Sequence, residues 1–234
     1  MEKIYFLLLA VLFLGCAQNE KTTSNRPSSF IKFPLPNIDL FQAKLDTAQH
    51  IANYEKLLLK IRKDRQQMVA QQKSTDDAAN YLFDILNDSI FPYWDGTTWD
   101  FNGITQTPKK GQIACGYFVT TTLRDAGVKL QRYKLAQQAA ADITKKLCSS
   151  ESIKWFNTIE SLDAHITNEG NNQLYVLGLD YHVGFVLRKD NVNYFVHSTY
   201  LGDACVIREP LLDSSAALSS NAYVVGNILA NESL

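Results

Sequence analysis

Residues 182–198 read His-Val-Gly-Phe-Val-Leu-Arg-Lys-Asp-Asn-Val-Asn-Tyr-Phe-Val-His-Ser, and this stretch decides the fold. A period of two on both sides of Lys189-Asp190-Asn191 indicates two β-strands, and the Asp-Asn pair is typical of a tight hairpin turn. A loop of two or four residues centred on Asp190-Asn191 places His182 and His197 diagonally on one sheet face. An odd loop instead brings Ser198 opposite His182.

The rest of the chain divides into helices before this hairpin and strands around it. Apolar residues that recur every three or four positions, together with stop signals such as Gly, predict helices. These helices cover residues 37–70, 75 onward, 115–127, 133–147 and 159–167. Period-two patterns predict further strands over residues 174–179, 205–208 and 223–226. Helices followed by antiparallel strands indicate an α+β fold.

The N-terminus predicts export. Lys3 precedes an apolar run from Ile4 to Leu14 that is too short to span a bilayer of ~30 Å, so residues 1–15 are interpreted as a signal peptide. The run ends in Gly15-Cys16, which resembles the bacterial lipobox. That resemblance implies cleavage before Cys16 and acylation of its thiol and amino group, and the alternative is an ordinary secretory signal with a chance Cys.

Composition changes after the lipidated residue. Residues 17–30 are polar and rich in Ser, Thr and Asn, which predicts a flexible tether over residues 16–33. We expect residues 34–90 to form a helical extension to a domain at 91–234. Two or more acyl chains anchor stably, so we expect the domain to be held at a membrane of the bacterial cell envelope. Residue 17 is Ala rather than the Asp of the inner-membrane sorting signal, which favours the outer membrane. The sequence does not decide whether the domain lies on the periplasmic or the outer face of that membrane.

Charge and motifs exclude several classes of function. A formal net charge of -1 and 46% hydrophobic residues indicate a globular protein without the basic field that binds a phosphate backbone, so we expect no nucleic-acid partner. The sequence lacks a His-Glu-x-x-His motif, a paired Cys-x-x-Cys and a Walker-type loop. We therefore expect neither a metal nor a cofactor.

The stretch Gly111-Gln112-Ile113-Ala114-Cys115-Gly116-Tyr117-Phe118 places a Cys where a loop enters a helix. Unpaired N–H groups at a helix N-terminus stabilise a thiolate, so Cys115 is a candidate nucleophile. Its small neighbours leave room for a carbonyl, its own N–H could stabilise an oxyanion, and the Gln112 amide is a weaker second candidate. An inert thiol packed behind the helix start is the structural alternative.

A thiol nucleophile needs a base, and the chain offers four histidines. His50 and His165 lie on predicted helices and are interpreted as surface or core residues. His182 opens a strand and is the candidate base, and His197 is the candidate that orients it. Trp94, Trp99 and Tyr117 are further candidates for lining a cleft, although covering the core is the commoner role of such aromatics.

A helix-start Cys followed by His182-Val183-Gly184-Phe185 and then Phe195-Val196-His197-Ser198 resembles the NlpC-type branch of the papain-like cysteine peptidases over about residues 90–210. The resemblance implies a nucleophile Cys115, a base His182 and an orienting His197 on an antiparallel sheet. It also implies cleavage of amide bonds in peptidoglycan stem peptides. The family's Asp-Cys-Ser-Gly is replaced here by Ala114-Cys115-Gly116-Tyr117, so its γ-D-glutamyl-diaminopimelate specificity is not implied.

Two rival functions remain open. A circularly permuted papain-like hydrolase would use Cys205 with His182, although Cys205 lies in a predicted strand without an activating helix N-terminus. A non-catalytic papain-like lipoprotein would bind cell-wall or partner peptides through the same cleft.

The cysteine count allows two states. With Cys16 assigned to lipid and Cys115 to catalysis, Cys148 and Cys205 could form a disulfide in an exported protein. Alternatively, Cys115, Cys148 and Cys205 are all reduced.

Overall fold

A hairpin closed by two left-handed residues organises the centre of the molecule. Strands β3 (Val183–Lys189) and β4 (Val192–Ser198) pair with Lys189 opposite Val192 and Phe185 opposite Val196. Asp190 and Asn191 have φ angles of 51° and 64°, the backbone that a two-residue type I′ turn requires. The even-loop prediction is therefore confirmed, and the odd-loop alternative is wrong.

The computed structural model describes residues 38–231, with residues 38–44 described by their backbone alone. The predicted signal peptide, the lipidation site Cys16 and the tether at 16–33 lie outside the described residues. None of the helices within residues 38–231 has the length and apolar character needed to cross a membrane.

One antiparallel sheet of six strands, in the order β1-β6-β2-β3-β4-β5, forms the middle layer. The other strands are β1 (Lys154–Phe156), β2 (Gln173–Gly178), β5 (Val206–Pro210) and β6 (Tyr223–Asn227). The predicted strands are all present within a residue or two of their expected ends. Only the short edge strand β1 has no counterpart in the sequence pattern, because three residues are too few to display a period.

Helices cover both faces of this sheet. They are α1 (Ile38–Ala70), α2 (Thr75–Ile85), α3 (Phe91–Trp94), α4 (Cys115–Asp125), α5 (Arg132–Ala136), α6 (Ala140–Leu147), α7 (Ile159–Asn168) and α8 (Ser215–Leu218), with a π-helical segment, Leu86–Ile90, joining α2 to α3. The single helix expected over 133–147 is wrong, because the chain leaves the helical conformation between α5 and α6 and begins again at Ala140. The α+β class is thus established.

Alternating strand residues divide the core into two layers. Phe185 and Leu187 of β3 and Val196 of β4 pack against helices α1 to α6. Val186 and Phe195 point to the opposite face, where α7 and α8 cover them. This alternation also decides the face on which each polar side chain of the hairpin lies.

A buried hydrogen-bond chain ties the first helix to the rest of the molecule. The Tyr54 hydroxyl of α1 donates to Asp125 Oδ2 at 2.6 Å and accepts from Trp94 Nε1 at 2.9 Å. Burial raises the pKa of Asp125, while the bonds from Tyr54 and Arg124 act in the opposite direction. Residues on both sides of the predicted boundary at residue 90 belong to one core cluster, and the described residues 38–231 belong to one compact unit.

Removing the Tyr54 hydroxyl should therefore destabilise the whole fold. Because the buried Asp125 carboxylate loses a donor, Tyr54→Phe should lower the free energy of unfolding by about 1–3 kcal/mol, measured by urea denaturation. Tyr81→Phe is the matched control, since it removes a 3.1 Å bond to the half-buried Asp64 instead, which keeps its ion pair with Lys60, and should cost less than about 0.5 kcal/mol. Equal losses in the two variants would contradict a shared core.

Candidate functional site

Cys115 is the first residue of α4, and three bonds hold the segment before it. Ser198 Oγ donates to the Ile113 carbonyl at 2.7 Å, Ile113 N–H donates to the Thr98 carbonyl at 3.0 Å, and Ala114 N–H donates to the Gly103 carbonyl at 2.8 Å. Ser198 follows His197 directly, so the Cys-bearing segment is fastened to the strand that carries the second histidine. The start of α4 is thereby fixed relative to the sheet.

Glycine at position 116 is required by the packing of α4 on α5. A Cβ at this position would lie 2.3 Å from the Ala136 carbonyl oxygen, which is backbone and cannot move aside cheaply. Gly116 and Ala136, the last residue of α5, both line the cleft together with Cys115. The small residue beside the candidate nucleophile thus has a structural reason.

The Cys115 side chain is partly buried where it lines the cleft, and the pKa of its thiol differs from the expected depressed value. Burial raises the pKa of this thiol above its usual value, and the backbone N–H groups of Val183, Gly116 and Cys115 itself lower it by less. The helix start contributes in the predicted direction, but desolvation of the charged form outweighs it. The resting residue is therefore a neutral thiol at neutral pH.

The two hairpin histidines meet as the even register requires. His182 Nε2 lies 2.8 Å from His197 Nδ1, and the two rings cross at 81°. Both side chains are buried, and burial together with the neighbouring His197 lowers the pKa of His182 to about 3. His182 is therefore a neutral imidazole over the physiological pH range.

Glu209 of β5 completes a chain of three side chains. Its Oε1 lies 3.0 Å from His197 Nε2, and the bond from His197 holds the pKa of this carboxyl below its usual value. An ionised carboxylate only accepts hydrogen bonds, so His197 Nε2 carries the proton and His197 Nδ1 is an acceptor. His182 Nε2 then donates to His197, which leaves His182 Nδ1 with a free lone pair.

The rings are packed as well as hydrogen-bonded. Phe195 stacks on His197 with centroids 4.0 Å apart and an angle of 20° between the planes. A Cβ on Gly184 would lie 2.7 Å from both His197 Cβ and Phe195 Cε2, so only glycine fits opposite His197. Tyr200 contacts His182 edge to face at 5.6 Å. The rings of His182 and His197 are therefore held in place by close packing against Tyr200, Phe195 and Gly184 as well as by their hydrogen bonds.

Cys115 and His182 open onto the same cleft of about 830 Å³. The two residues come from different layers and meet where β3 begins, since the Val183 N–H that faces the thiol directly follows His182. The walls are mainly aromatic and amide side chains: Trp99, Phe101, Asn102, Tyr117, Gln137 and Tyr200. A concave, mostly apolar pocket with convergent polar groups is the usual form of a small-molecule or peptide site.

Several other sequence candidates now have definite places. Trp99 and Tyr117 line the cleft, whereas Trp94 is fully buried in the core. Gln112 is exposed and is not part of the cleft lining, so its side chain is not brought to Cys115. His50 bonds the Tyr93 carbonyl at 2.9 Å and His165 packs on Phe156, both outside the cleft.

Of the two cysteine states that the sequence allows, the disulfide between Cys148 and Cys205 is wrong. Cys115, Cys148 and Cys205 are all free thiols, as the other alternative states. Cys148 packs against Gly226 of β6, whereas Cys205 immediately precedes β5, four strand positions away in the sheet. At about 4.8 Å per strand this is roughly 19 Å, well beyond the ~7 Å limit of Cα separation in a disulfide.

Sequence reasoning missed Glu209 and the cleft aromatics Tyr181 and Tyr200. Glu209 faces Phe195 across the β4–β5 ladder, which puts it on the same sheet face as His197. The signal was the period-two position of Glu209 in its strand, but the partner strand and its register were not readable from the chain. The tyrosines flank the two strand ends next to His182, where no periodicity marks them.

No family model, curated protein or solved structure matches this chain. The geometry of the residues themselves is therefore the basis for a functional assignment. Among the residues that the structure describes, His, Cys, Asp and Glu form no cluster of three suited to hold a metal ion. The chemistry available in the cleft is that of a thiol, one imidazole and neutral amides, with a second imidazole and a carboxylate hydrogen-bonded behind the first imidazole.

Acidification should destabilise the protein through the buried histidines. The pKa of His182 is about 3 in the folded state and ~6.5 in the unfolded state, so the unfolded state binds the extra proton in this window. The free energy of unfolding should fall by about 1.4 kcal/mol per pH unit for this group as the pH falls below ~6.5. Urea denaturation between pH 6.5 and 5 measures the slope. His182→Gln should reduce this slope by the contribution of one proton, about 1.4 kcal/mol per pH unit. An unchanged slope would contradict burial of the neutral ring.

Proposed function

We propose that this protein is a papain-like cysteine hydrolase of the NlpC type, held at a bacterial membrane through lipidated Cys16. Its proposed reaction is cleavage of an amide bond, with peptidoglycan stem peptides as the leading substrate. The observation that carries the proposal is the hydrogen-bond chain from His182 through His197 to Glu209, with His182 lining the same cleft as Cys115. The α+β fold, with the Cys at a helix start beside an antiparallel sheet, is compatible with it.

The resting pair is neutral, so the proton must move during attack. As Cys115 Sγ bonds to the substrate carbonyl carbon, its proton passes to the free Nδ1 lone pair of His182. The resulting imidazolium is stabilised because His182 Nε2 donates to His197, whose Nε2–H in turn donates to the Glu209 carboxylate. His182 then gives the proton to the leaving amine as the C–N bond breaks. Water hydrolyses the thioester by the same steps and restores the thiol.

The carbonyl oxygen becomes an oxyanion during both steps and needs donors. The Cys115 N–H is one proposed donor. Three amides line the cleft, those of Asn102, Gln137 and Gln138. Gln137 Nε2 donates one N–H to the Tyr117 hydroxyl at 3.0 Å, and Gln138 accepts from Lys146 at 2.6 Å through its carbonyl oxygen, which leaves its own N–H groups available. We propose that the second donor is one of these cleft amides rather than Gln112, which does not line the cleft.

The rival using Cys205 has less support. Cys205 is not part of the cleft that Cys115 and His182 share. Burial raises the pKa of its thiol, and the negative charges of Asp95 and Asp203 raise it further. No helix begins at Cys205 to offset these effects. The non-catalytic binding lipoprotein remains the second candidate function, since a cleft that only binds peptide has no need of the Cys115 thiol.

Alkylation of Cys115 should depend on His182. With His182→Gln, the rate of iodoacetamide labelling of Cys115 at pH 7.5 should fall about tenfold or more, because the thiol loses its base. Cys205 is the internal reference, since its peptide is followed in the same digest by mass spectrometry and its rate should not change. His165→Gln, which alters a histidine outside the cleft, is the matched control.

Hydrolysis is then measured on purified peptidoglycan fragments as newly released amines, with Cys115→Ala expected to release none. Labelling of Cys115 that is indifferent to His182 would overturn the hydrolase proposal. An inactive wild-type protein whose Cys115→Ala variant still binds peptide would establish the binding lipoprotein instead.

Glu209→Gln should slow the reaction without unfolding the protein. The amide oxygen of Gln can still accept from His197, but the negative charge that stabilises the His182 imidazolium is lost. We expect the labelling rate of Cys115 to fall about threefold to thirtyfold, with the transition in urea unchanged within ~1 kcal/mol. Glu160→Gln, a change of the same charge on α7 away from the cleft, should leave the rate unaltered. A rate for Glu209→Gln equal to that of the wild type would remove Glu209 from the relay.

A further inference from the structure

The cleft lining carries no formal charge. Among the described residues that form its walls there is no Asp, Glu, Lys or Arg, and the only ionisable groups besides tyrosine hydroxyls are Cys115 and His182. Both of these are neutral at rest, because burial raises the pKa of the thiol and lowers that of the imidazole. The site therefore offers no counter-ion to a substrate.

The charged residues near the lining along the chain do not themselves line the cleft. Asp100 Oδ1 accepts from the Asn102 N–H at 2.8 Å, and Asp180 Oδ2 accepts from the Asn221 N–H at 2.9 Å. Lys134 and Lys146 line a separate pocket, where Lys146 donates to Gln138 at 2.6 Å. None of these four charged side chains is part of the cleft lining.

Arg132 is the one buried cation behind the described walls. Its guanidinium lies 4.8 Å from the centre of the Tyr117 ring and donates to the carbonyls of Ile104 and Thr105. The Tyr117 ring lines the cleft and Arg132 does not. Its role is to hold the loop that carries Ile104, and a substrate meets the tyrosine face rather than the cation.

Resting on the proposed hydrolase, we infer that the substrate is a peptide-like amide whose groups on both sides of the scissile bond are uncharged and present apolar or aromatic surface. Phe101 and Tyr181, which are 79% and 94% exposed at the mouth of the cleft, supply such surface for contact. A free carboxylate or ammonium beside the bond would lose water without gaining an ion partner. Stem-peptide bonds flanked by free carboxylates are thus disfavoured.

Four peptidyl chloromethyl ketones test this directly. Acetyl-glutaminyl-glycyl and acetyl-norleucyl-glycyl ketones are the neutral members, and the glutamyl and lysyl analogues are their charged counterparts of similar size. In each reaction the Sγ–C bond forms, the C–Cl bond breaks and chloride leaves, while the thiol proton passes to His182. The second-order rate for Cys115 is divided by the rate of the same reagent with 2-mercaptoethanol, which removes intrinsic differences.

The neutral reagents should label Cys115 at least about tenfold faster than the charged ones after this normalisation. Equal or faster labelling by the charged reagents would overturn the inference while leaving the hydrolase proposal intact, provided that His182→Gln still slows labelling. If no reagent labels Cys115 faster than Cys205, the proposed function fails and the inference fails with it.

A charge placed in the cleft should reverse the preference. Phe101→Lys introduces an ammonium at an exposed lining position and should raise the rate of the glutamyl reagent relative to the glutaminyl one by about threefold or more. Leu59→Lys replaces another exposed apolar residue, on α1; it adds the same charge away from the cleft and should leave the ratio as it is. A ratio unchanged by Phe101→Lys would overturn the assignment of this cleft as the substrate site.

Discussion

The register of the β3–β4 hairpin is the constraint on which the candidate site depends. Because two left-handed residues, Asp190 and Asn191, close the loop, every side chain of β4 has a fixed partner on β3. One residue more or less in that loop would turn His197 to the opposite face and break its 2.8 Å contact with His182. A short-range choice of turn residues therefore decides the long-range chemistry of the cleft.

The sequence was most informative where one local rule acts alone. Turn chemistry and the period of two predicted the hairpin, and the loop-to-helix transition predicted the position of Cys115 at the start of α4. What it could not predict depended on contacts between distant segments. Glu209 joins the relay through the pairing of β5 with β4, and the Cys148–Cys205 bond fails because the sheet order separates the two thiols.

The electrostatic character of the site was also beyond the reach of sequence. A helix start lowers the pKa of a thiol, and desolvation raises it. Which of the two effects is larger depends on how completely the surrounding residues enclose Cys115. Burial wins here, as it does for His182, and the proposed mechanism begins from a neutral pair rather than an ion pair. In the proposed mechanism, the negative charge of the Glu209 carboxylate stabilises, through His197, the imidazolium that forms on His182 when a substrate is attacked.

Enclosure of the thiol also bears on how the protein ages. Peroxides and disulfides react with thiolates, and the oxidation of a cysteine follows its thiolate fraction and its exposure. Burial raises the pKa of the Cys115 thiol, so its thiolate fraction is small and its reaction with both kinds of oxidant is slow. In oxidising surroundings this would help to keep the sulfur in its reduced form, although the thiol lines an open cleft. Resistance to oxidation is thus a consequence of the same desolvation that raises the pKa.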